Sequence, residues 1–489
     1  ATSYATVRSR RRTAHGLDVL EVRERLDEDT PPHEALPMLA VPGAPPRTGT
    51  LVDAISAVAR GVLGDAEPLA GAALDLLRRT PPRQRSGSLP APTSGESAHR
   101  AAAVAAALLD SDDSYVAVQG PPGTGKTLVG ADVIARLVDE HGWRIGVVAQ
   151  SHTVVEGMLE RVLAAGVPAE LIGKRGGSGG WRRLTAGHLD FVSGSEAGCV
   201  LGGTTWDFAN RNRVPAGALD LLVIEEAGQY SLANTLAAAT AARRLLLLGD
   251  PQQLPQVSQA RHPAPVDRSA LGWLMPGVDV LPEQLGYFLD RTWRMHPDLC
   301  AAVSELAYDG RLSSATPAAE RHLDGLAPGI HQVLVEHHGN RARSAEEAAE
   351  VASQIDELLG RAWTDEHGTR PLEQADVIVV AAYNAQVQAV REHLDAAGLT
   401  AVRVGTVDRF QGQEAAVVVL SLAASTAKEA ARGLRFLLDR HRINVALSRG
   451  RWAAIIVRSP ALTRTMPTHP RELADLAAFI DVGRADLQE

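Results

Sequence analysis

The chain has 489 residues, 45% of them hydrophobic and 22% charged, with a net charge of −9 at pH 7. That length holds two or three domains, each with its own core, and the composition is ordinary for a soluble globular protein. The negative balance argues against a protein that coats itself in nucleic acid by bulk attraction, but not against one that grips a single strand in a local groove.

The longest apolar run, Ala101 to Leu109, is too short to cross a membrane. No apolar stretch follows Arg8, Arg10, Arg11 and Arg12, so no signal peptide is read and a cytoplasmic location is expected. The sequence starts at Ala1 rather than Met, which leaves room for a longer protein. Two cysteines, Cys199 and Cys300, are too few for an iron–sulfur cluster or a zinc ribbon and read as packed thiols. Only three lysines occur, Lys126, Lys174 and Lys428, against many arginines.

Residues 1–95 show no clear periodicity and are broken by Pro31-Pro32, Pro45-Pro46 and Pro81-Pro82. Helical patterns are expected at Leu51–Leu63 and Ala70–Arg79, and a linker from Pro81 to Ser97. Beyond about Ala98 the text alternates. Apolar runs at Tyr115–Gln119, Arg144–Ala149, Cys199–Gly202, Asp220–Ile224 and Leu245–Leu248 read as strands covered on both faces. Helical patterns at Thr127–Glu140, Thr153–Ala165 and Ser231–Ala242 lie between them. A second series follows, with strands at Gln332–Glu336, Asp376–Ala381, Ala401–Val404, Ala416–Leu422 and Ala453–Val457 and helices at Ala345–Gly360 and Ala385–Ala396. The expected fold is α/β: two tandem, doubly wound parallel-sheet lobes, at 96–283 and 284–489, behind an N-terminal accessory segment, 1–95.

Three motifs carry chemistry in the first lobe. GPPGTGKT (Gly120, Pro121, Pro122, Gly123, Thr124, Gly125, Lys126, Thr127) follows a strand and opens a helix. There the glycines let backbone N–H groups turn around phosphates, and the helix N-terminus adds its positive end. Lys126 is expected at the β/γ-phosphates of ATP, and Thr127 at Mg²⁺. VIEEAGQ (Val223–Gln229) ends a buried strand with Glu225 and Glu226, one carboxylate for the Mg²⁺ shell and one to polarise the attacking water. Strand-end acids are also common caps, so this motif alone decides nothing. LGDPQQLP (Leu248–Pro255) puts Asp250 and Gln253 at the carboxyl end of the sheet, where such folds bind ligands.

The order GPPGTGKT, EEAGQ, GDPQQLP resembles the superfamily 1B helicases, the group of the nonsense-mediated-decay helicase and senataxin, with its two RecA-like lobes. The likeness continues through AQSHTVVEGML (Ala149–Leu159), GGTTWDFA (Gly202–Ala209), WRMHP (Trp293–Pro297), YNAQV (Tyr383–Val387), TVDRFQGQE (Thr406–Glu414) and RINVALSR (Arg442–Arg449). It covers residues 98–465, and the closest flavour is the bacterial fusion of a RecB-like nuclease with such a helicase. Residues 1–95 hold no nuclease-type acidic and lysine cluster, so the likeness implies the helicase part alone, with a nuclease domain elsewhere in a full-length chain.

The resemblance implies that Arg294 and Arg449 point at the γ-phosphate from the second lobe, a task suited to a planar, always charged group. It implies that Gln253 reports on the γ-phosphate and that Glu414 meets nucleotide ribose or phosphate. Trp293 stacks on the base or is a core aromatic. Ser151, His152, Thr153, Thr204, Thr205, Asn384 and Thr406 are expected along a single strand, tracking its backbone without reading bases; helix capping is the competing reading. For Lys174, Arg175, Arg182 and Arg183 a solvated loop is the favoured reading.

Three positions depart from the family pattern. Glu225 stands where Asp is usual, which moves the carboxylate about 1.5 Å. Arg100 stands where a base-reading glutamine is expected, and Gly450 replaces an alanine. The expected activity is an ATP-dependent helicase or translocase on single-stranded nucleic acid, DNA favoured over RNA, moving 5′ to 3′. A nucleotide-switched binding protein with weak hydrolysis, kept alive by Glu225, and an RNA helicase are the alternatives.

Overall fold

The computed structural model describes residues 4–12, 18–25, 47–64, 71–185, 187–195, 197–256, 258, 262–464, 466–467 and 469–482. Pro31-Pro32 and Pro45-Pro46 lie outside them. Two compact units are present, Ala1–Gly49 and Thr50–Glu489. The first holds an antiparallel hairpin of Tyr4–Arg12 with Asp18–Arg25, irregular between Val7 and Ser9. Sequence periodicity did not disclose it, because the bulge interrupts the alternation of faces.

The second unit carries two parallel sheets. In the first lobe the strands are β1 (Tyr115–Gln119), β2 (Arg144–Val148), β3 (Ile172–Lys174), β4 (Arg182–Arg183), β5 (Cys199–Gly203), β6 (Leu219–Glu225), β7 (Ala242–Gly249) and β8 (Gly286–Phe288). Their order is β8-β1-β7-β6-β2-β5-β3-β4. Apolar residues fill nearly every position in the middle of the central strands because helices cover both faces. Tyr115, Ala117, Leu222, Ile224, Leu245 and Leu247 enter one buried layer. Val116, Val118, Leu221, Val223, Leu246 and Leu248 enter the other, with Ile134, Leu137 and Met158 of the helices Lys126–His141 and His152–Ala164.

The second lobe repeats the plan with β9 (Gly329–Leu334), β10 (Val377–Ala381), β11 (Arg403–Gly405), β12 (Ala415–Ser421) and β13 (Gly450–Arg458), ordered β9-β13-β12-β10-β11. Ile378, Val380, Val418 and Leu420 face one layer, and Val377, Val379, Val417 and Val419 the other. The five expected strands of each lobe are present, shifted at their ends by a few residues. The short strands β3, β4 and β8 carried no readable pattern.

Two boundaries need correction. Strand β8 pairs with β1, so the first lobe runs past residue 283. The stretch 71–95 is part of that lobe rather than a linker: Ala72, Ala73 and Leu76 of the helix Gly71–Arg78 lie in its core. Asp75 there accepts hydrogen bonds from Ser114 Oγ at 2.6 Å and Arg83 Nε at 2.9 Å, and Pro90 O accepts from Tyr287. Cys199 and Cys300 are free, buried thiols. No helix among the described residues is long and apolar enough to cross a membrane.

Candidate nucleotide site

The loop between β1 and the helix Lys126–His141 turns at Gly123 and Gly125, whose φ values of +75° and +76° lie in the left-handed region. A side chain at Gly123 is excluded twice over: its Cβ would stand 2.4 Å from Arg294 Cβ and 2.5 Å from Thr292 Oγ1. The loop is braced by Gly120 N donating to Gly249 O at 2.9 Å and Thr124 Oγ1 to Pro121 O at 2.8 Å. Lys126 is buried, its Nζ 3.1 Å from Glu226 Oε2.

Thr127 Oγ1 donates to Glu225 Oε1 at 2.8 Å, while Glu225 Oε2 is buried with no hydrogen-bond partner. Burial, with Glu226 adding like-charge repulsion against the pull of Lys126, pushes the Glu225 carboxyl up to about 7. A hydroxyl beside an unsatisfied buried carboxylate oxygen is a donor set that fits Mg²⁺, which binds through one or two protein oxygens and keeps waters. Glu226 follows with φ +57°, uncommon for a side-chain-bearing residue. The chain turns there tightly enough that a Cβ at Gly228 would stand 2.3 Å from Asp250 O.

The second lobe closes the site. Thr292 Oγ1 donates to Pro122 O and Trp293 N to Gly123 O, both at 2.8 Å. Arg294 donates from Nε to Glu414 Oε2 at 2.7 Å and from Nη1 to Ser448 O at 3.0 Å. Arg449 is buried and donates to Val445 O at 2.8 Å and to Gln413 O at 3.3 Å. Burial and the neighbouring Arg294 pull its guanidinium down to about 9. Both arginines line one cavity of about 550 Å³ together with the phosphate loop, Glu226, Gln253 and Trp293. Glu414 does not line it. Its carboxylate is the counter-ion of Arg294, which does.

Behind the cavity is a hydrogen-bond hub that sequence reasoning missed. Asp250, buried, accepts from Gln253 Nε2 at 2.9 Å and from Tyr308 Oη at 2.7 Å. Tyr308 in turn accepts from Asn444 Nδ2 at 3.0 Å, which also donates to Gln252 O at 2.8 Å. Arg440 adds an ion pair with Asp279 at 2.9 Å. Tyr308 falls in no motif, so only packing reveals it. Arg100 is committed to Gly95 O, Phe288 O and an ion pair with Asp290.

The residues expected along a strand sit at the carboxyl ends of the strands. His152 and Thr153 are exposed beside Ser151, whose Oγ accepts from Val154 N at 3.3 Å. Thr204 and Asp207 form a reciprocal helix cap. Asn384 is exposed at a helix start, and Thr406 precedes the turn Val407–Phe410. Thr205 is a correction: it is buried, 2.5 Å from Tyr230 Oη, and cannot face a strand. Lys174 leaves the basic loop as well, buried with its Nζ 2.9 Å from Glu156.

Residues 97–266 and 277–461 each match a family model described as an AAA domain. The regulator of nonsense transcripts 1 homolog of Drosophila melanogaster is 24% identical over 404 residues, 70% of this chain and 33% of that protein. DNA replication ATP-dependent helicase/nuclease dna2 of Schizosaccharomyces pombe is 25% identical over 390 residues, 71% of this chain and 26% of its own. ATP-dependent helicase NAM7 of Saccharomyces cerevisiae is 25% identical over 396 residues, 70% and 40% of the two chains. The chain thus spans less than half the length of these relatives. Among solved structures, an arterivirus nonstructural protein 10 helicase with DNA shares 16% identity over 74% of this chain and 62% of that one, at a TM-score of 0.37.

Proposed function

The chain belongs to the superfamily 1B helicases, and on that premise we propose that it is an ATP-driven translocase on single-stranded nucleic acid, acting on DNA in preference to RNA and moving 5′ to 3′. The observation that carries the reading is the single cavity shared by the phosphate loop of one lobe and Arg294 and Arg449 of the other. A charge from the opposite lobe makes hydrolysis depend on closure, and closure shifts one set of strand contacts against the other.

In this reading Lys126 leaves Glu226 for the β/γ-phosphates. Mg²⁺, held through Thr127 and Glu225, supplies charge neutralisation of the phosphate oxygens. Glu226, released from the lysine, orients the attacking water. Arg294, steadied by Glu414, and Arg449 offset the charge that develops on the transferred group. Gln253 senses that group and passes its state through Asp250 and Tyr308 to the second lobe. Ser151, His152, Thr153, Thr204, Asn384 and Thr406 hold the strand by its backbone. The preference for DNA follows the likeness to a helicase/nuclease of DNA replication, as does a nuclease elsewhere in a longer chain. A cytoplasmic location is part of the same proposal.

The test compares matched DNA and RNA oligonucleotides for binding and for stimulation of ATP turnover, then unwinding of duplexes with 5′ or 3′ overhangs. Stimulation by DNA above RNA, and unwinding only from a 5′ overhang, is expected. Equal stimulation by RNA, or unwinding from the 3′ side, overturns the assignment.

A further inference from the structure

The first lobe has a second cavity, of about 460 Å³, with Arg175, His188, Asn212 and Arg213 in its wall. Arg175 of its wall directly follows β3, at the carboxyl end of the sheet where the expected strand contacts lie. Strand β3 runs parallel beside β5 with Lys174 opposite Gly202, so Arg175 leaves one strand as Thr204 leaves the next. Strand β2, which leads to Ser151–Thr153, lies on the far side of β5. At about 4.8 Å between neighbouring strands, the three positions make a row about 10 Å long, the reach of about three stacked nucleotides.

One carboxylate ties the row to the cavity. Asp207 accepts from Thr204 Oγ1 at 2.8 Å and from Arg213 Nη1 at 2.5 Å. Its charge is offset by Arg213; Asp190 and exposed Arg175 also line the cavity, and exposed Arg182 and Arg183 lie on β4, the strand beside β3. His188 is 4% exposed and lines the cavity; its Nε2 stands 3.8 Å from Asp207 Oδ1, beyond hydrogen-bond distance, and has no hydrogen-bond partner. Burial holds that imidazole below its usual range, against the pull of Asp207 and with Arg213 and Arg175 adding to the effect. A neutral imidazole keeps one ring N–H to donate. Two guanidiniums and a neutral donor around one opening suit a phosphate, which accepts from several planar donors at once.

We propose that this cavity seats a phosphodiester of the bound strand, held by Arg175 and Arg213 with His188 and Asn212 as neutral donors. It is an anchor at the end of the polar groove, and it rests on the strand-binding reading above.

The experiment measures affinity for a labelled single-stranded oligonucleotide across a salt series, for the parent, Arg175→Gln, Arg213→Gln and Arg175→Lys, with melting temperature as the check on folding. Loss of one phosphate contact lowers the slope of log affinity against log salt by about 0.7. The parent's advantage over either glutamine variant should then shrink about 2.6-fold between about 50 and about 200 mM salt. Arg175→Lys should keep most of the parent's slope, because it keeps the charge. If the parent binds strands and both glutamine variants retain its slope, the anchor is refuted while the strand-binding reading stands. If the parent binds no strand at any salt, both fall together. Arg175 is exposed, so its variant decides the matter even where the loss of Arg213 disturbs Asp207.

Discussion

Replacing Glu225 with glutamine tests the buried acid at the heart of the site. The folded carboxyl exchanges its proton at about 7, against 4.5 for an ordinary glutamate. Between those values the folded chain holds a proton that the unfolded chain has released, so stability is lost as pH rises through the window. At about 1.4 kcal/mol per pH unit, the charged form costs the fold about 3 kcal/mol above neutrality. Glutamine keeps the acceptor for Thr127 and carries no charge. In the absence of Mg²⁺ and nucleotide, the stability advantage of Glu225→Gln over the parent should therefore grow with pH, by about 2–3 kcal/mol, from about pH 5 to about pH 8. Denaturant unfolding of both proteins at several pH values measures it. Parallel stability profiles, or an advantage that shrinks with pH, would refute the burial argument. The same variant should lose hydrolysis, since its amide cannot serve the metal as a carboxylate does.

Removing Arg294 or Arg449 should lower turnover by about 10³–10⁵ with a far smaller change in nucleotide affinity; turnover within about threefold of the parent in either alanine variant rejects that role. Glu226→Gln should bind nucleotide and strand together but stall before hydrolysis, seen as a long-lived ternary complex in a dissociation assay. A complex that turns over normally places the water elsewhere. Tyr308→Phe removes only the hydroxyl between Asp250 and Asn444, leaving two buried groups one partner short at about 1–3 kcal/mol. It should lower kcat while KM for ATP stays near the parent's; an unchanged kcat shows that the hub does not couple the lobes.

The sheets were legible because their central strands carry unbroken apolar runs, as in Leu245–Leu248, a pattern that double coverage by helices explains. The phosphate loop was legible because Gly123 and Gly125 need the left-handed conformation and sit between a strand and a helix. What escaped depends on tertiary geometry. Strand β8 is three residues long, too short for periodicity, yet it moves the lobe boundary. Thr205 and Thr204 are indistinguishable as text; only the direction of each side chain separates a buried partner of Tyr230 from a residue at the edge. Glu414 carries the right chemistry for a nucleotide contact, but its pairing with Arg294 shows only in three dimensions. Tyr308 is one tyrosine just past the end of an ordinary helix until Asp250 and Asn444 are seen on either side of it.

The central claim is that strand occupancy and hydrolysis are coupled through one cavity built by two lobes. Steady-state ATP turnover, with and without a saturating single-stranded oligonucleotide, tests it most directly. The account predicts that the strand raises turnover in the parent and fails to raise it once Arg449 is replaced by alanine. A parent that binds the strand yet hydrolyses ATP at the same rate with and without it would contradict the claim and leave a nucleotide-switched binding protein in its place.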